Sequence, residues 1–78
     1  MTRTRLLSEQ ELAALAKKYR ETAGKSKVEA AREMKVAPPT IFQAEEEPQT
    51  SLTKLRIRMI EAYSPFKVTG PVFVLEQK

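Results

Sequence analysis

The sequence contains no cysteine, no histidine and no aspartate, and each absence excludes a kind of site. Without cysteine there is no disulfide framework or thiolate metal site, and without histidine the usual metal ligand and general base are missing. No glycine-rich phosphate loop and no catalytic pair of carboxylates is recognisable. We therefore expect a protein that is not an enzyme and that holds neither a metal nor a cofactor.

Long apolar runs are also missing, since none approaches the roughly 18 residues that a membrane span needs. The basic segment from Met1 to Ser8 leads into Glu9 and Glu11 instead of into the apolar core of a secretory signal. These features predict a cytoplasmic protein without membrane contact.

The composition of the sequence is typical of one small folded domain. Its 78 residues are 41% hydrophobic and 31% charged, which is ordinary for a globular chain near the lower size limit for a self-sufficient core. The net charge of +4 lies in the first half: nine Lys and Arg oppose five Glu up to Ala37, against five and five from Pro38 onward. A positive surface favours polyanions, although so modest an excess is common in proteins that bind nothing acidic.

Two capping boxes predict where the first two helices begin. Ser8 with Glu11 begins a helix that Gly24 ends, and Ser26 with Glu29 begins a second, short helix. The apolar stripe of the first helix has helical spacing and consists of Leu12, Leu15, Ala16 and Tyr19.

Prolines divide the rest of the chain. Pro38 and Pro39 stop the second helix but are tolerated in the first turn of a third, over residues 38–46. A fourth helix follows Pro48 and ends before Pro65; its predicted apolar stripe is Leu52, Leu55, Met59, Ile60 and Tyr63. Its cations, Lys54, Arg56 and Arg58, are expected mostly to face water.

The C-terminal segment changes to a β-type pattern. Phe66 and Val68, and then the run 72–75, predict one or two strands, with Thr69, Gly70 and Pro71 between them. The sequence thus predicts a mainly α protein: a basic arm over residues 1–7, a four-helix domain over 8–64 and a β segment over 65–78.

Residues 26–45 resemble the helix-turn-helix of the Cro and phage-repressor-like (Xre) regulators. That family places a small alanine in its first motif helix, apolar residues around the turn and two more in its second helix. The matching residues here are Ala31, Met34, Val36, Ile41 and Ala44. The resemblance implies a motif over 27–46 in a Cro-like α+β fold, with helix 38–46 in the major groove. The family often has glycine with positive φ where this chain has Lys35, which implies a cost of about 1 kcal/mol or more.

The resemblance also implies which residues contact DNA. Gln43 can pair with adenine, Thr40 can reach a base or a phosphate, and Phe42 either packs on a thymine methyl or belongs to the core. Pro38 and Pro39 offer bases no hydrogen-bond donor. The candidate phosphate contacts are the cations Lys27 and Lys35. Weaker electrostatic or minor-groove contacts are expected from Lys25, Arg3 and Arg5. Each of these residues is otherwise explained as solvated surface.

The acidic run 45–47 opposes this interpretation, because carboxylates at the end of such a helix repel phosphates. We expect the three side chains to point away from the duplex.

In the Cro branch of this family, a strand after the helices pairs with its copy in a second subunit. The resemblance therefore implies a homodimer whose interface consists of Val72, Phe73, Val74 and Leu75. A hairpin folded onto the chain's own helices, with Gly70 and Pro71 in its turn, is the equally weighted alternative, and both can hold together.

These features predict a sequence-specific, homodimeric regulator of transcription, a repressor that binds double-stranded DNA. One alternative is the antitoxin of a toxin–antitoxin pair, in which the C-terminal segment binds the toxin partner. The other is a helix-turn-helix-fold protein-interaction module without DNA binding, which the double proline and the three glutamates favour.

Overall fold

The computed structural model describes residues 7–69 and 74–78, which form four helices followed by a two-stranded antiparallel sheet. The elements are α1 (Glu9–Thr22), α2 (Lys27–Met34), α3 (Pro38–Glu46), α4 (Thr53–Tyr63), β1 (Phe66–Thr69) and β2 (Val74–Gln77). This confirms the predicted mainly α class with C-terminal strands. Four residues of the predicted interfaces, Arg3, Arg5, Val72 and Phe73, lie outside the described residues.

Both predicted capping boxes are formed. The amide of Glu11 donates to Ser8 Oγ at 3.1 Å, and the amide of Ser8 donates to Glu11 Oε1 at 3.2 Å. Ser26 and Glu29 repeat this exchange at 3.0 and 2.9 Å, and the bond from the Ser26 amide lowers the pKa of Glu29. Each box thus satisfies two amides at a helix start, where the helix itself provides no acceptors. Gly24, with φ +74°, follows the end of α1 as predicted.

The core lies between α1, α4 and the α2–α3 pair. Its buried side chains come from all four helices and β1, and they include Leu12, Ala16, Ala30, Ala31, Met34, Ile41, Ala44, Leu55, Met59, Ile60 and Val68. Alanines at positions 30 and 31 let α3 approach α2 closely, as the motif requires. Val36 packs half-buried against this core, so all five residues that carry the resemblance face inward.

The two strands form a hairpin within the chain, with Phe66 opposite Gln77 and Thr69 opposite Val74. Leu75 packs on the core, and the rings of Tyr19 and Phe66 lie 6.0 Å apart between α1 and β1. The strand pairing of the hairpin alternative is therefore present within the single chain, whereas its expected turn residues, Gly70 and Pro71, lie outside the described residues.

Arg56 is fully buried, so the expectation that it faces water is wrong. Its guanidinium donates to the carbonyls of Ala44 at 2.8 Å, Glu47 at 2.9 Å and Thr50 at 3.2 Å. It also reaches Thr50 Oγ1 at 3.0 Å and the carboxylate of Glu9 at 2.9 Å. The last carbonyls of a helix lack partners within that helix, and Arg56 supplies donors to the end of α3 and to the turn after it.

Candidate nucleic-acid interface

The turn between α2 and α3 is fixed by a left-handed residue at the predicted position. Lys35 has φ 61° and ψ 45°, the only positive φ at a non-glycine residue among the described ranges 7–69 and 74–78. The amide of Lys35 donates to Arg32 O at 3.3 Å and that of Val36 donates to Ala31 O at 2.9 Å, which is the Schellman pattern of a helix end. From α4, Arg58 donates to Met34 O at 2.9 Å. These bonds hold the two short helices in one relative orientation.

The inner and outer faces of α3 are sharply divided. Ile41, Ala44 and Glu45 are buried, whereas the residues spaced three and four apart on the other side, Pro39, Phe42, Gln43 and Glu46, are exposed, together with Pro38. The proline pair occupies the N1 and N2 positions, where a missing amide hydrogen costs no helix bond. The predicted base-contacting residues Phe42 and Gln43 therefore share one accessible face.

Phe42 is 46% exposed, which excludes the alternative that it belongs to the core. The ammonium of Lys27, at the start of α2, lies 5.2 Å from the centre of the Phe42 ring. This is cation–π distance, so the two helices place a positive charge beside the aromatic ring. Val28, the next residue of α2, is 54% exposed and is the other large apolar side chain on the surface of the described residues.

Gln43 is exposed and makes no side-chain hydrogen bond within residues 7–69 and 74–78. Its amide thus keeps both donor and acceptor available. Thr40 is half-buried, and its backbone amide donates to Ala37 O at 2.9 Å, closing the first turn of α3. Of these two predicted contacts, Gln43 is the more accessible.

Two carboxylates of the acidic run 45–47 pair with cations of α1, and of these two Glu45 is buried whereas Glu46 lies on the exposed side of α3 with Phe42 and Gln43. Glu45 is buried and accepts two bonds from the Arg20 guanidinium, at 2.5 and 3.1 Å, which raise the pKa of Arg20. Glu46 pairs with Lys17 at 2.8 Å, and this bond lowers the pKa of Glu46 and raises that of Lys17. Two of the three carboxylates that would oppose a polyanion are therefore paired with cations.

The predicted cations differ in how available they are. Lys35 is exposed at the turn and Lys27 is half-buried beside Phe42. Lys25 forms an ion pair with Glu33 at 3.0 Å, which raises the pKa of Lys25, and Glu33 also accepts a bond from the Tyr63 hydroxyl. Lys25 is therefore partly neutralised, which leaves Lys27 and Lys35 as the stronger candidates.

Sequence reasoning missed Arg20 and Arg56, the two buried cations that support α3. A signal for both was present, because Arg20 continues the buried series Leu12 and Ala16 at a spacing of four, and Arg56 lies between the buried positions 55 and 59. An arginine on the apolar face of a helix predicts a buried partner, since an unpaired charge is costly there.

The predicted dimer residues within the described ranges are Val74 and Leu75. β2 pairs with β1 along one edge, and no described strand pairs with its other edge. Leu75 is half-buried against the chain's own core. Pairing of β2 with a second copy stays a prediction.

No described helix is both long enough and apolar enough to cross a membrane. The chain matches no protein-family model, no curated protein and no solved structure, so its resemblance to the Cro and phage-repressor-like regulators rests on the α2–α3 pattern alone.

Proposed function

We propose that this protein binds double-stranded DNA sequence-specifically through α2 and α3 and represses transcription as a homodimer, in the manner of Cro and phage-repressor-like regulators. The observation that carries the proposal is the outer face of α3. It presents Phe42 and Gln43 to solvent, with Lys27 beside it, while Glu45 is turned inward against α1.

The geometry of α3 suits the major groove, which is wide enough to admit one helix. The Gln43 side-chain amide can accept a hydrogen bond from adenine N6 through its Oε1 and donate one to adenine N7 through its Nε2. This bidentate pairing distinguishes adenine from the other bases. Because the turn at Lys35 and the bonds from Arg56 hold α3 rigidly, little conformational entropy would be lost on binding.

The charges around α3 favour a polyanion on its outer side. Lys27 and Lys35 lie at the start of α2 and in the turn, where the resemblance implies phosphate contacts. Lys17 and Arg20 lie behind α3 and offset its acidic end. This distribution lets α3 approach phosphates despite its three consecutive carboxylates.

A dimer would double these contacts. A single α3 covers few base pairs, whereas two copies related by a twofold axis would enter successive major grooves about 34 Å apart. The edge of β2 that no described strand covers is the surface we assign to this pairing. Occlusion of a promoter by the bound dimer would then repress transcription.

The test is in vitro selection of bound duplexes from a random library, followed by affinity measurements at several salt concentrations. We expect a palindromic site. With phosphate contacts from Lys27 and Lys35 in each of two subunits, Kd should weaken about 100-fold between about 50 and about 200 mM salt. A failure to enrich any sequence, or a Kd that does not respond to salt, would contradict the proposal.

A protein-interaction module is the second candidate function, and one observation favours it. Phe42 and Val28 are exposed on neighbouring helices, and exposed apolar side chains mark many protein interfaces. The selection experiment separates the two functions, because a module of this kind would enrich no DNA sequence.

A further inference from the structure

We propose that α3 recognises the C5 methyl group of thymine through the ring of Phe42, so that the bound half-site contains a thymine whose methyl group sets the affinity. This inference rests on the proposed DNA binding and names the chemical feature that the site would recognise.

The core of the described residues does not account for Phe42, whose ring contacts the ammonium of Lys27 and is otherwise exposed. On the inner face of α3, Ile41 and Ala44 are fully buried in the core. Phe42 is not part of that core. Nearly half of the residue's accessible surface faces solvent, where an apolar side chain is unfavourable compared with a polar one. A ring in this position is suited to an apolar group brought by a ligand.

The first two residues of α3 are also apolar. Pro38 and Pro39 are both exposed, and neither has a polar side-chain atom or an amide hydrogen. Neither proline can therefore donate a hydrogen bond to a base edge. The thymine methyl is the apolar group among the major-groove features of the four bases, and it is the feature that such a surface can select.

The charge of Lys27 favours DNA over an apolar protein partner as the ligand of this face. Its ammonium lies 5.2 Å from the centre of the Phe42 ring, so any ligand on the ring also meets this charge. An apolar protein surface would bury the ammonium without a counterion, which is costly. DNA instead places phosphates beside its methyl groups, so one ligand satisfies both the ring and the charge.

Gln43 adds a polar contact beside Phe42 on the same face. Glutamine selects adenine, and every adenine in a duplex is paired with a thymine that carries a methyl in the same groove. The two neighbouring side chains together predict a half-site with A·T pairs at its recognised positions.

The test replaces each thymine of the selected site, one position per duplex, by deoxyuridine, which removes the methyl and leaves base pairing unchanged. At one position in each half-site we expect Kd to weaken about fourfold, which corresponds to about 0.8 kcal/mol for one buried methyl group. The variant Phe42→Ala should bind the thymine and deoxyuridine sites equally at that position. Val28→Ala removes the other exposed apolar side chain and should keep the fourfold preference.

The outcomes separate this inference from the proposed function. Specific binding that is insensitive to every thymine replacement would overturn the methyl recognition and leave DNA binding intact. A preference for thymine that persists in Phe42→Ala would overturn the assignment to Phe42. A chain that enriches no sequence at all would refute the proposed function, and this inference with it.

Discussion

Replacement of Arg56 by methionine tests whether one buried side chain holds the end of α3. Methionine keeps much of the aliphatic volume of arginine but donates no hydrogen bond. The change removes the Arg56 donors to the carbonyls of Ala44, Glu47 and Thr50, of which Glu47 O and Thr50 O keep bonds from the backbone of the following turn, and it leaves Glu9 without its cation.

The expected loss follows from these partners. Three carbonyl oxygens and one hydroxyl each lose one hydrogen bond, at about 1 kcal/mol per bond. These losses are included in the cost of about 3–5 kcal/mol for removing one member of a buried charged network. We therefore expect the free energy of unfolding to fall by about 3–5 kcal/mol. For a domain of this size each kcal/mol lowers Tm by about 4–8 °C, so Tm should fall by at least about 12 °C.

The measurement is thermal and urea unfolding followed by circular dichroism, and Arg58→Met is the matched control. Arg58 lies on the same helix and carries the same charge, but it is exposed and donates one hydrogen bond, to Met34 O. Its replacement should cost about 1 kcal/mol. Equal and small losses for the two variants would refute the reasoning that Arg56 holds the α3 terminus.

Three further predictions concern the turn, the base contact and the acidic run. Lys35→Gly should raise the free energy of unfolding by about 0.5–1 kcal/mol in denaturant unfolding, because glycine adopts positive φ without strain, and it should not improve DNA affinity; a strong loss of stability would contradict the left-handed turn. Gln43→Ala should cost about 1–3 kcal/mol on the selected site and relax preference at one base pair, whereas an equal loss on all sequences would assign Gln43 to positioning. Lys17 lowers the pKa of Glu46, so the folded state binds fewer protons than the unfolded state and stability should fall as the pH drops below the ordinary glutamate value of 4.5. Glu46→Gln should lose less stability on acidification in thermal melts, and an unchanged pH response would contradict this contribution.

The helices could be predicted because their signals are local. The Ser8 and Ser26 boxes act over three residues, and the proline pair acts on its immediate neighbours, so the chain around each position suffices to determine it. The start of α3 and the inward position of Ile41 are likewise determined by residues only a few positions away in the sequence. The left-handed Lys35 was expected only through the resemblance, since its own sequence context does not require positive φ.

The candidate site was predicted less completely, because exposure depends on what packs against each residue. Phe42 and core residues of similar hydrophobicity cannot be told apart by composition, and only the packing of Ile41 and Ala44 against the other helices leaves its ring outside. In the same way, the position of Arg56 between the apolar residues 55 and 59 indicates burial, but only the tertiary structure shows that its partners are at the end of α3.

By itself, therefore, the sequence determined the four helices and the starts of α1 and α2, since these depend on contacts between residues three or four apart. The tertiary structure alone decided that Arg20 pairs with Glu45 and that Arg56 reaches Glu9, contacts that join residues 25 and 47 positions apart. Such pairs form only when packing buries both charges together. The residues near a buried arginine in the sequence do not specify which distant carboxylate it pairs with.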